Sequence, residues 1–188
     1  MIKKSMKLYL SILSFLFCAC LATFPQDNPR QSYADQLFHS GEYAKAISVL
    51  RECLDSLPHN LIVQKMLAKS FFNIGNIDSA YVLYKEITEY NPDDYESHVF
   101  VGNYYYVTAN KLARKTPDER RPRSSLFRKE EGRTGPDRTT RYYLKAGEYL
   151  EKAYTIYNSD EIRKSLIEIY TITGNRDKIV QYRRNAKK

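Results

Sequence analysis

The side chains able to do chemistry are few in this sequence, and they stand apart. The histidines are His39, His59 and His98, and the cysteines are Cys18, Cys20 and Cys53. Neither set has ligand spacing for a metal, and no disulfide framework can be drawn from them. Carboxylates such as Glu86, Glu89, Asp93 and Asp94 fall where they suit helix surfaces and caps better than acid–base work. A glycine-rich phosphate loop and a nucleophile elbow are both lacking, and no serine has a histidine at an informative spacing. The chain is therefore read as non-enzymatic, with no catalytic residue, no metal and no cofactor assigned.

Charge is the next chemical resource, and it is unevenly spread. The formal +8 divides into +3 over residues 1–20, −5 over 21–110, +7 over 111–145 and +3 over the remainder. Residues 111–138 form a basic insertion in which Arg114, Lys115, Arg120, Arg121, Arg123, Arg128 and Lys129 could neutralise phosphates. Phe127 is the one aromatic between Lys111 and Arg141, so platforms for base stacking are missing and nucleic acid is disfavoured as a partner. Binding of an anionic surface or nucleic acid through this insertion is the alternative function. Pro117, Pro122, Pro136, Gly132 and Gly135 among so many charges predict a segment that is partly disordered.

The N-terminus carries a different signal. Lys3, Lys4 and Lys7 precede the apolar run Leu8 to Phe24, which Pro25 ends, and this is the layout of a secretory signal or membrane anchor over residues 1–24. Phe17-Cys18-Ala19-Cys20 resembles a bacterial lipobox, with Phe17 where an aliphatic residue is favoured, and the resemblance implies lipidation of Cys20. Cleavage near Ala22 and retention as an anchor are the competing outcomes. Lipidation or cleavage would place the protein outside the cytoplasm, in the periplasm or at the outer membrane of a bacterial cell envelope.

Between these segments lies a repeat. Laid back over the chain so that Leu61 falls on Asp27, the stretch Leu61–Asp94 puts Gly75 on Gly41, Ala68 on Ala34, Phe72 on Phe38, Ala80 on Ala46 and Pro92 on Pro58. The glycines are expected to turn the chain and the prolines to end helices. Ala46, Leu50 and Cys53 recur at helical spacing as one buried face, which makes Cys53 an inert core thiol. Ala34, Ala68 and Gly102 form a series of small residues that lets paired helices approach closely. A third unit starts at Tyr95, breaks near residue 110, and resumes with Ala146, Leu150 and Ala153. Lys111 to Lys115 could prolong the helix before the break, and Thr139-Thr140 could start the one after it. A fourth unit shows through Leu166, Tyr170 and Gly174, with Arg183 at the place of Leu50 and Tyr84, as suits a polar terminal cap.

On these offsets the chain resembles the tetratricopeptide-repeat (TPR) family in its exported bacterial form. The resemblance implies an all-α fold, a right-handed solenoid of about four helix-turn-helix units over residues 28–188. The units would be 27–60, 61–94, 95–110 plus 139–158, and 160–188. Arg30 and Gln64 depart from it, since a bulky aromatic is common there.

The resemblance also implies a concave groove lined by the first helix of each pair, where a peptide or protein partner binds. Carried over position by position, the groove holds Gln31, Asp35, Phe38 and His39, then Lys65, Lys69, Phe72 and Asn73. Val99, Asn103 and Tyr106 follow, and last Lys164, Glu168 and Thr171. Phe38, Phe72 and Tyr106 recur at one spacing. They either pack helix on helix or present their edges to a peptide. Lys65, Lys69 and Asn103 could hold an acidic or amide group. Asp35 argues against the carboxylate clamp known in one subclass, because it would repel that ligand.

Overall fold

Three left-handed glycines fold the chain into hairpins: Gly41 and Gly75 at φ 80° and Gly174 at φ 75°. A side chain at such a φ is strained, which is why the turn falls on glycine. At each of them the same pair of bonds closes the preceding helix. The amide of Gly75 donates to Phe72 O and that of Asn76 to Phe71 O, and the equivalents at Gly41 and Gly174 reach Phe38 and Leu37, and Thr171 and Tyr170. The computed structural model describes residues 29–114 and 137–184. The leader with Cys20, most of the insertion, and the last four residues lie outside the described residues.

Eight helices are described, each packed on its neighbours in chain order. They are α1 Pro29–His39, α2 Tyr43–Ser56, α3 Leu61–Asn73, α4 Ile77–Tyr90, α5 Tyr95–Ala113, α6 Arg138–Ile156, α7 Asp160–Thr173 and α8 Arg176–Arg184. Their starts are set by short polar caps. Asn60, Asn76, Asp94 and Asp137 accept the amides of Val63, Ser79, Ser97 and Thr140 at the starts of α3, α4, α5 and α6. In the first two hairpins Gly41 and Gly75 stand between the paired helices, where the repeat offsets put the turns. At the split, α5 takes in Lys111–Ala113 and α6 begins at Arg138, so the insertion gives up residues at both ends to helix.

The core runs as two joined clusters, one from α1 to the start of α4 and one from α3 to α8, with Leu83 and Phe100 packed against both. Ala34, Ala46, Ala68, Ala80, Ala146 and Ala153 are fully buried, and so is Leu50. Gly102 faces Leu150 so closely that a Cβ would lie 2.7 Å from its Cγ. Cys53 is 2% exposed, and burial raises its thiol pKa, which keeps it inert. The described residues thus form an all-helical, TPR-like solenoid.

The early positions that depart from the aromatic preference are filled in an unexpected way. Gln64 is buried, and its Nε2 donates to Pro58 O at 2.9 Å. His98, at the same place one repeat later, is fully buried, and its Nε2 donates to Pro92 O at 2.8 Å. Arg163 holds the equivalent position in α7 and binds Asp160 through Nε and a terminal nitrogen. A polar side chain seals each of these joints where bulk was expected. At the C-terminal end Arg183 is exposed, and the buried residue of α8 is Tyr182 beside it.

Candidate functional site

The site lies where α5 runs on past the two helices before it. In the second hairpin the chain turns at Gly75, and the matching position in the third unit is Ala109, which is still inside α5. The end of α5 therefore overhangs the turn between α3 and α4. Below it lies a groove of about 760 Å³, lined by Phe72 of α3, by Ile77, Asp78 and Tyr84 of α4, and by the α5 face running from Tyr95 to Lys111, of which Lys111 belongs to the overhang. That α5 face includes Glu96, Val99, Phe100, Asn103, Tyr104, Val107 and Thr108, a succession at helical spacing.

The walls are apolar and open to solvent. Phe72 is 51% exposed and meets Phe100 edge-on at 5.8 Å, while Val107 is 47% and Ile77 38% exposed. Large side chains left in water around a concavity are what a ligand would cover. The Tyr104 hydroxyl donates to Asp78 Oδ1 at 2.9 Å, and burial together with that carboxylate pushes Tyr104 up to about 12.

One end of the groove is tied by charge. Lys65 Nζ sits 2.8 Å from Asp94 Oδ1 and 2.9 Å from Glu96 Oε2, Lys69 Nζ is 3.0 Å from Glu96 Oε1, and Tyr84 donates to the same oxygen at 3.2 Å. Burial alone would raise the Glu96 and Asp94 carboxyls. The bonds and charge of Lys65, with Lys69 on Glu96 and Ser97 on Asp94, outweigh it and hold both below the usual range.

The residues singled out from the sequence are dispersed by this geometry. Phe72 and Asn103 line the groove. Lys65 and Lys69 flank it with their ammonium groups engaged by Asp94 and Glu96. Phe38 packs edge-on against Tyr43 and His39, and Tyr106 packs edge-on against Tyr143 while its hydroxyl donates to Glu168 at 2.6 Å. His39 bonds the carbonyl of Asp35, and Asn73 bonds that of Lys69. Of the three aromatics at one spacing, then, two are packing residues and Phe72 reaches the groove. Ile77, Asp78, Tyr104, Val107 and Lys111 were not foreseen. For Lys111 the signal was the failure of the chain to turn near residue 109.

Residues 37–98 match a family model described as tetratricopeptide repeat. No curated protein sequence matches the chain. Among solved structures, the Sgt2 TPR domain from Aspergillus fumigatus is similar at 16% identity and TM-score 0.51, over 82% of this chain and 83% of that one. A Bacteroides ovatus protein is similar at 23% identity and TM-score 0.51, over 81% of this chain and 70% of that one. Human IFIT1, solved as a dimer with m7Gppp-AAAA, is similar at 19% identity and TM-score 0.50, over 79% of this chain and 30% of that one. The chain thus spans less than a third of the human IFIT1 chain it matches. These likenesses establish the fold, a TPR-like α-solenoid. No described helix is long and apolar enough to cross a membrane.

Proposed function

We propose that this protein is a non-catalytic interaction scaffold that binds a peptide segment of a partner protein in the groove between α3, α4 and α5. The observation that carries this reading is the solvent-exposed apolar wall of Phe72, Ile77 and Val107 around about 760 Å³ of concave space. That volume lies in the range of sites that enclose a small ligand or a few side chains. Binding is an equilibrium event driven by cover of the apolar wall, with the exposed Asn103 amide available for backbone hydrogen bonds. The basic leader and apolar run support a place in the bacterial cell envelope, with lipidation at Cys20 as the means of attachment.

The test uses peptides selected on the full chain from a random display library and measured by calorimetry. Phe72→Asp is expected to weaken their binding at least tenfold, about 1.4 kcal/mol, with an unchanged melting temperature. Equal affinity for both proteins would exclude the groove.

A further inference from the structure

The groove is polar in the electrical sense, and its charges differ in how they are satisfied. Three charged groups line it: Asp78, Glu96 and Lys111. Asp78 lies in the first turn of α4, where the helix N-terminus favours an anion, and it accepts the Tyr104 hydroxyl. Glu96 lies in the first turn of α5 and is met by Lys65, Lys69 and the Tyr84 hydroxyl. Both carboxylates therefore have donors of their own. Lys111 is exposed on the overhang and has no ion pair among the described residues. Arg114 follows it by one turn, at the end of α5.

From Tyr104 to Lys111 the helical face runs two turns, about 10 Å at 1.5 Å per residue. The apolar wall of Phe72, Ile77 and Val107 lies toward Tyr104, and the positive end lies at Lys111. A ligand that covers the wall and continues along α5 meets that ammonium.

We infer that the groove selects peptides in which a short apolar stretch is flanked by an acidic residue, the apolar side chains covering Phe72, Ile77 and Val107 and the carboxylate facing Lys111. This rests on the peptide-groove reading above and adds the chemistry and the direction of the ligand. A basic flank at this end is disfavoured because it would face Lys111. Such a rim charge contributes mainly specificity and association rate, and its effect falls with added salt.

The experiment is again a random-peptide display selection on the full chain, followed by affinity measurements at low and high salt. Enriched peptides are expected to carry Asp or Glu next to an apolar pair. Lys111→Gln should weaken them about two- to fivefold and Lys111→Glu about three- to tenfold at low salt, with unchanged melting temperatures. Replacing the peptide's acidic residue by lysine should restore binding to Lys111→Glu. Peptides that depend on Phe72 yet show no acidic preference, or bind Lys111→Glu as tightly as the parent protein, would overturn this inference and leave the groove standing. Peptides indifferent to Phe72→Asp, or a selection that enriches none, would remove both.

Discussion

Ala68 and Gly102 occupy the same place in successive units, and each marks a point where helices meet with no room to spare. Ala68 is fully buried, and a Cβ on Gly102 would strike the side chain of Leu150, itself 2% exposed and without space to withdraw. Ala68→Leu and Gly102→Val are each expected to cost about 1–3 kcal/mol through overpacking, read as a lower melting temperature. No change in either would mean that the contact is looser than described. Small residues at a fixed period were legible in the sequence because their absence of bulk is itself the signal. The burial of Gln64 and His98 was not legible, since nothing in a glutamine or a histidine announces that an upstream proline carbonyl will receive its N–H.

Elements two apart in the chain, α3 and α5, are stitched by Lys65 and Lys69 reaching Asp94 and Glu96. Both carboxyls titrate lower in the folded chain than when unfolded, and Lys65, despite its burial, titrates higher because of those two partners. The carboxyl contribution is therefore complete above the unfolded range of about pH 4–4.5, and it is lost as pH falls through the lowered folded values. The lysine contribution holds up to its unfolded value and is lost only as pH rises past it. Lys65→Met is expected to lower stability by about 1–2 kcal/mol at pH 7, and its deficit should shrink as the pH is taken from 5 toward 2. A deficit constant across that range in thermal melts would show that the network contributes nothing through charge. The capping Asp94 could be read from the sequence. Its second use, as an anchor for Lys65 in the preceding unit, could not, because that pairing exists only once the hairpins stack.

Across the whole molecule, the array is a sum of neighbour contacts, as expected of a solenoid. That is why one fixed period, carried from Gly41 to Gly75, was enough to lay out the hairpins. The groove escaped the same reasoning in part, because its lining draws on α4 and on the end of α5 as well as on the first helices of the hairpins. Phe72 could be named from the period. Lys111 could not, since it lies on the stretch of α5 beyond Ala109, where this unit does not turn as the others do. The same chain bears a basic, apolar N-terminal run, and export with lipid attached to Cys20 makes a prediction about the mature species. Intact mass spectrometry of protein purified from membranes is expected to show a chain beginning at Cys20 with added acyl mass. An unmodified chain that still begins at Met1 would remove both lipidation and cleavage.

The long hairpin of α5 and α6 has one more consequence. Its arms are of equal length, and near the open end the Tyr143 hydroxyl donates to Asn110 at 2.6 Å, so the arms are clasped where the chain departs and re-enters. Polypeptide spliced between Ala113 and Arg138 is therefore expected to change in length without shifting the register of the hairpins below it, at a loop-closure cost that grows only slowly with length. The clasped end would serve as a docking port on a finished frame.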